Sequence, residues 1–392
     1  MTVSPPPTET AAIESPLARP SLWRRLPQWL APLAALVLLV AITSIANPTF
    51  VQPGNIINIL HNSSFVGLLA IGMTFVIIAG GIDLSVASLM VLAGGLGIWV
   101  MNTCIDADGI LKAVDAAQKA RTAAPYSAMR MWLAQGFSAG AMGGGELAGV
   151  IVGGATTVLA ATLGGLLNGL LVTKGRVAPF IATLGGLAAY RSLAQAIVDG
   201  GEFRSASSSV FAQLGAGGVP IGFSAFGERF FYNHYGNPLI LPWPVLIFPL
   251  VALAAWVLLA RTRFGRYVYA IGCNERAAEY SAIRVDRVRL KTYVLMGLLT
   301  GLAALLAASR MNSVGSGNTA LFWELDAIAA VVIGGTRMSG GVGTLGGTII
   351  GLLILGVLNS MTNFLQVSTH LQNAVKGAVI VAAALLQRPR RT

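Results

Sequence analysis

The sequence predicts an all-α fold, a polytopic transmembrane helical bundle of about 10 spans in two pseudo-repeated halves, with N- and C-termini in the cytoplasm. Three observations predict it. Only 10% of the 392 residues are charged, against roughly a quarter in soluble domains, and the mean hydropathy is +0.72. Apolar runs of membrane length recur along the chain. Lys and Arg collect in alternate connecting segments, the distribution that retains those segments on the cytoplasmic side.

Taken in order, residues 1–28 are rich in Pro, Ser and Thr and read as a disordered cytoplasmic tail. Residues 29–388 read as one transmembrane domain. A span needs about 20 apolar residues. The runs fall at about 30–47, 55–79, 84–103, 146–172, 178–198, 240–260, 291–310, 325–336, 344–363 and 371–387. The eighth is short and glycine-interrupted, as a broken or re-entrant segment would be. With the N-terminus inside, the inner segments hold 17 of the 26 Lys/Arg: three before the first span, Lys174, Arg176, eight in residues 261–291, Arg337 and three at the C-terminus. The longer outer segments hold seven, Lys112, Lys119, Arg121, Arg130, Arg204, Arg229 and Arg310. The net charge of +11 therefore marks span ends and predicts a lipid bilayer as partner, with no nucleic acid.

Two outer insertions, about 104–145 and 199–239, are long enough either to dock an external partner or to cover the helix ends. Cys104 and Cys273 fall on opposite sides of the membrane, which predicts no disulfide between them.

The polar island at 261–291 reads as a cytoplasmic loop holding a short helix. Asn274 offers an N-cap, Glu275 suits the positive end of the helix, and Arg284 and Arg287 suit the far end. Ala277, Ala278, Ser281 and Ala282 read as a small-residue face that a soluble partner could approach closely.

A weak internal repeat aligns VIIAGGIDLS (76–85) with AVVIGGTRMS (330–339), placing Gly80 and Gly81 on Gly334 and Gly335. LGGLLNG (163–169) likewise resembles LILGVLNS (353–360), pairing Asn168 with Asn359. Interrupted helices in corresponding places point to a transport path. Asp83 alone reads as an N-cap. The small-xxx-small pairs Gly149/Gly153, Gly165/Gly169, Gly297/Gly301 and Gly347/Gly351 suit close helix approach, within the chain or between subunits. Asn62, Ser63, Ser64, Asn168, Arg191, Asn359 and Asn363 should face the bundle interior, bonding helix to helix.

No G-x-x-x-x-G-K-[ST] loop occurs, so the chain is not expected to hydrolyse ATP, and no catalytic or metal-ligand spacing suggests an enzyme. Only Arg191 and Lys376 sit within spans, with Glu324 and Asp326 near a span start, which argues against an ion-coupled carrier.

The segments GMTFVIIAGGIDLSVASLMVLAG (72–94), GRVAPFIATLGGLA (175–188), RTRFGRYVYAIGCNERAAEYSAIRV (261–285) and ELDAIAAVVIGGTRMSGGVGTLGG (324–347) resemble the permease subunits of ribose-type bacterial sugar ABC importers. The resemblance implies an inner-membrane permease that passes a monosaccharide, pentose or hexose, from a periplasmic sugar-binding protein by alternating access. It implies cytoplasmic ABC ATPase partners that carry the ATP and Mg, no cofactor on this chain, and a second permease copy or paralogue. It places the coupling helix at Asn274, Glu275, Arg276, Ala277, Ala278, Glu279, Tyr280, Ser281, Ala282 and Ile283. It places signature turns near the translocation path at Gly80, Gly81, Asp83, Ser85, Gly334, Gly335, Gly340 and Gly341, with Asn168 and Asn359 alongside. The family usually has glycine where Cys273 and Ala282 stand, a change expected to matter little because small residues remain. The rival readings are an ABC permease for branched-chain amino acids or nucleosides and a self-sufficient secondary carrier.

Overall fold

Lipid offers no partner for backbone N–H and C=O groups, so an apolar run must close its hydrogen bonds within a helix. Nine of the ten predicted spans do so in the computed structural model: α1 (Leu30–Ala46), α2 (Pro53–Ile78), α3 (Val86–Ile105), α6 (Glu146–Thr173), α7 (Pro179–Ile197), α9 (Trp243–Arg261), α12 (Val285–Met311), α13 (Trp323–Ile333) and α14 (Leu345–Phe364). The structure describes residues 30–120, 126–139, 145–207, 209–225, 228–233, 236–368, 371–372, 374, 376–378 and 381. The predicted tail lies outside the described residues, as does most of the predicted tenth span. Six helices, α2, α3, α6, α9, α12 and α14, are long and apolar enough to cross a membrane. α13 has only 11 residues, the short broken segment its glycines suggested.

The connecting segments add short strands to the helical bundle. Six three-residue strands form three antiparallel pairs in the connecting segments. β1 (Glu202–Arg204) pairs with β6 (Ser313–Gly315), β2 (Gly218–Pro220) with β5 (Ile240–Pro242), and β3 (Phe223–Ala225) with β4 (Glu228–Phe230). With α8 (Val210–Ala216) they fold the 199–239 insertion over the helix ends. The Gly215 carbonyl lies 2.9 Å from His61 Nε2 on α2, and Asn102 Nδ2 on α3 donates to the Arg204 carbonyl at 2.7 Å. The 104–145 insertion contributes α4 (Ala107–Lys119) and α5 (Ala128–Ala139), which meet through Ala107, Ile110 and Ala134.

α2 and α12 form the middle of the bundle. Leu68, Leu69, Met73 and Val76 of α2 share one core with Met296, Ala303 and Ala304 of α12. All four small-xxx-small pairs are spent inside the chain, so none makes the subunit interface allowed for above. Gly149 and Gly153 face Met101 of α3, and Gly347 and Gly351 face Gly334 and Ala330 of α13. Gly165 on α6 and Gly297 on α12 meet backbone to backbone, where a Cβ on Gly165 would meet the Tyr293 carbonyl and come within 2.8 Å of Gly297 Cα.

Gly165→Ala is therefore expected to destabilise the bundle by about 1–3 kcal/mol through overpacking. Gly185→Ala on α7, whose added Cβ meets nothing within 4 Å, should leave stability unchanged or raise it. Thermal unfolding of the two variants in one detergent checks the contrast. Equal melting shifts would mean that the α6–α12 approach can relax.

Candidate functional site

At the end of the bundle that carries the basic island, three pieces of backbone converge. α2 and α13 both stop in Schellman turns. Gly80 N–H donates to the Ile77 carbonyl and Gly81 N–H to Val76, while Gly335 N–H donates to Val332 and Thr336 N–H to Val331. Gly80 (φ +79°) and Gly335 (φ +92°) take the left-handed position. The predicted repeat is thus real in conformation but one residue out of register: Gly80 corresponds to Gly335, not Gly334. A Gly-Gly pair lets either member take the left-handed role, so the sequence could not choose between them.

The third piece is the end of α10 (Arg263–Cys273). A Cβ on Gly272 would collide with the Ile78 carbonyl and the Gly341 N–H. Gly341 N–H donates to the Ile78 carbonyl at 2.9 Å, joining the two turns directly. Gly340 lies over Gly272 and Gly80, both near 3.1 Å from where its Cβ would be. Two tyrosines pin the assembly: Tyr269 of α10 donates to the Gly343 carbonyl at 2.7 Å, and Tyr293 of α12 donates to Ile82 at 3.1 Å. Burial raises the Tyr269 hydroxyl pKa, which keeps it a neutral donor.

One residue beyond this junction begins α11 (Glu275–Tyr280). Asn274 caps it as predicted, its Oδ1 accepting from Ala277 N–H at 3.1 Å. Glu275 does more than face the helix dipole. Arg289 of α12 donates to both its carboxylate oxygens, at 2.6 and 2.7 Å, a bidentate tether that holds α11 against α12. The predicted small-residue face divides in two. Ala278 is 4% exposed and packs into the protein's own core with Val285 and Val288, so it cannot receive a partner. Arg276, Ala277, Glu279, Tyr280, Ser281 and Ala282 are exposed, with Tyr280 at 91%. Ile283 is half-buried beside them. Ala282 closes the helix at φ +60°, its N–H donating to Glu279 and Ile283 N–H to Ala278. The usual glycine is thus a matter of backbone angle here and not of size, which corrects the reading that any small residue serves equally.

A chain of donors runs into the first turn. Tyr190 of α7 donates to Asn168 Oδ1 at 3.1 Å, Asn168 Nδ2 of α6 donates to Ser85 Oγ at 2.7 Å, and Ser85 Oγ donates to Asp83 Oδ1 at 2.7 Å. Asp83 also accepts from Ser85 N–H, but Ser85 occupies the cap position of α3, so Asp83 is a turn residue and not the predicted N-cap. Its Oδ2 is buried without a partner. Asn168 therefore belongs to this end. The sequence pairing with Asn359 fails because α6 and α14 run in opposite directions, Asn359 lying at the far end.

At that far end lies a cavity of about 490 Å³, whose lining on α2 runs from Asn55 to Val66; Val66 is about 18 Å from Ile78 at 1.5 Å per residue. Asn55, Asn58 and Asn62, spaced three and four apart, line it from one face of α2. Asn359, Ser360 and Asn363 line it from α14, and Trp323 and Asp326 from α13. Lys376 Nζ holds Asp326 Oδ2 at 3.2 Å on its wall. Asn62 and Asn363 do bond within the protein, to Arg310 and Gln372. Among the described residues the Asn58 and Asn359 side chains have no protein partner, so for Asn359 the expected helix-to-helix bond is absent. The signal was present in the sequence: three asparagines at helical spacing at the start of a span put amides where lipid would reject them. Among the described residues no cluster of His, Cys, Asp or Glu could hold a metal ion.

A family model described as the permease component of the branched-chain amino acid transport system matches residues 55–384. The ribose import permease protein of Bacillus subtilis is 39% identical, over 93% of this chain and 94% of its own. The ribose import permease protein of Escherichia coli K12 is 36% identical, over 92% and 93%. The xylose transport system permease protein of the same strain is 30% identical, over 89% and 88%. No solved structure matches the chain.

Because an L-residue in the left-handed region costs about 1–2 kcal/mol, Ala282→Gly is expected to stabilise α11 by about 1 kcal/mol. Hydrogen exchange of the amides of residues 277–283 should slow about fivefold, while the rest of the chain stays unchanged. Faster exchange would show that the helix end does not keep this turn.

Proposed function

The chain belongs to this permease-component family, among the ribose-type ABC import permeases, and from that premise we propose how its two ends work together. It is a multi-pass membrane permease, the non-catalytic membrane subunit of a bacterial ABC importer for pentose sugars. In our reading it has ten spans with both termini cytoplasmic, so the basic island faces the cytoplasm and the amide-lined cavity faces outward.

A periplasmic binding protein delivers the sugar to that cavity. Its amides supply both donors and acceptors to hydroxyl groups, and Trp323 presents an aromatic ring to the sugar's C–H face. A polar lining suits a polyhydroxylated substrate better than a branched aliphatic side chain, which favours a pentose over the amino acid reading. At the opposite end, α11 is the coupling helix. Arg276, Ala277, Glu279, Tyr280 and Ser281 form its outward face toward an ABC ATPase, which holds the ATP and Mg. A second permease copy or paralogue completes the membrane unit.

The observation that carries the proposal is that α2, α13 and α14 each reach from the cavity to the glycine junction. Asn58, Trp323 and Asn359 stand at one end of these helices, and Ile78, Gly334 and Gly347 at the other. A displacement of α11 passes through Gly272 and Gly341 into the same three helices that shape the cavity. ATP binding to the partner then shifts access by favouring one of two arrangements.

Ribose and xylose uptake by the complete importer in proteoliposomes tests each part. Ala277→Trp should release the ATPase on co-purification and abolish uptake. Gly272→Val should lose uptake as well, because the same contact both positions α11 and carries its displacement. Retention of the ATPase by Ala277→Trp would exclude α11 as the dock, and wild-type uptake by Gly272→Val would exclude the junction as the link.

Asn359→Leu should lower uptake about tenfold by removing a hydrogen-bonding partner inside the cavity, with the ATPase still bound. Unchanged uptake of both pentoses would place the sugar path elsewhere.

A further inference from the structure

Beside the coupling helix is a second cavity, of about 380 Å³, ringed by Arg263 of α10, Arg284 of the connector, and Arg287 and Lys291 of α12. No carboxylate lines it, and among the described residues none of the four cations is paired with one. Four like charges lining one concave site, with no carboxylate among them, make a positive potential that favours an anion.

The surroundings say which kind of anion. Arg284, Arg287 and Lys291 follow one another at steps of three and four, the spacing of a single helix face. The same face continues as Val294 and Leu298, and Leu298 is 44% exposed. The stripe therefore turns from cationic to apolar within two turns of α12. At the neighbouring end of α9, Arg261 lies over the Trp256 ring at 5.5 Å, and Leu253 and Val257 are exposed above it. Tryptophan beside arginine at the end of an apolar helix marks headgroup level. Tyr267 and Val288 supply apolar wall to the cavity itself.

We propose that this cavity holds the headgroup of an anionic phospholipid, with its phosphate among Arg284, Arg287 and Lys291 and an acyl chain along Leu298. Basic pockets between helices at the cytoplasmic face suit such headgroups. A free phosphate would use the cations but not the apolar continuation. The consequence reaches α11, because Ala282 and Ile283 line the same cavity and also form the turn that ends the helix. An occupied cavity fixes that turn, so lipid charge sets how firmly the helix is held.

The test uses the full chain in nanodiscs of phosphatidylcholine with or without phosphatidylglycerol, released into native mass spectrometry. Wild type should retain phosphatidylglycerol at least tenfold over phosphatidylcholine, and hydrogen exchange at residues 277–283 should slow when phosphatidylglycerol is present. The triple variant Arg284→Gln/Arg287→Gln/Lys291→Gln should lose both effects, and Arg266→Gln, a charge removed outside the cavity, should keep both. Millimolar inorganic phosphate should not displace the lipid. Absence of preference in wild type overturns the proposal without reference to any variant. Retained preference in the triple variant overturns the location, and displacement by inorganic phosphate would make this a free-phosphate site instead.

Discussion

Gly272 lies against the Ile78 carbonyl and the Gly341 N–H with no room for a single methyl group. Everything at that end of the molecule depends on this approach. If α10 stood off by the thickness of a side chain, Tyr269 would lose the Gly343 carbonyl and Cys273 would lose the Gly341 carbonyl it reaches at 3.5 Å. α11 begins one residue later, so its position is fixed by the same contact. The entropy that glycines lose on folding is offset here by direct backbone bonding between the two turns, in a place where an unpaired buried N–H would itself cost about 1–3 kcal/mol.

The two ends of the bundle treat polar groups in opposite ways. At the island end the donors are consumed in sequence, from Tyr190 through Asn168 and Ser85 to Asp83, and Tyr293 closes on Ile82. At the far end the amides of Asn58 and Asn359 are left to solvent or solute in an open cavity. A network with its partners already in place is stiff, and a set of free amides is ready for a ligand that brings hydroxyls. One end therefore has its polar groups committed to one another, and the other leaves two amides without a protein partner among the described residues.

How far this was legible in the sequence follows from which forces are local. Spans were readable because lipid imposes the same demand on every backbone group, and α2, α3, α6, α7, α9 and α14 stand within three residues of where hydropathy put them. The Asn274 cap was readable because it acts within one turn. The direction of Ala278 was not, because a six-residue helix turns whichever face its neighbours bury, and those neighbours, Val285 and Val288, lie on another helix. The Arg289 tether, the Gly272 contact and the Asn168 to Ser85 bond link residues 14, 69 and 83 positions apart, counted for Gly272 to Gly341 and otherwise as the bonds are separated. Nothing in a local pattern distinguishes such pairs from others of the same chemistry. The cavity was half legible, since its asparagines were visible as misfits in a span but their convergence from α2 and α14 was not.

On the proposed reading α11 takes up work through a contact, and a contact transmits only if the part being pushed does not unfold first. Six residues form no stable helix alone. α11 is held instead from four directions: the Asn274 cap, the bidentate Arg289 pair, the burial of Ala278 and the turn at Ala282. Three of these attach it to the rest of the chain or brace it against α12, and the fourth is strained, because Ala282 stands in the left-handed region without being glycine. A push on the exposed face around Tyr280 therefore moves α11 as a unit, and the compliance that remains sits at its C-terminal turn, on the side away from the glycine junction.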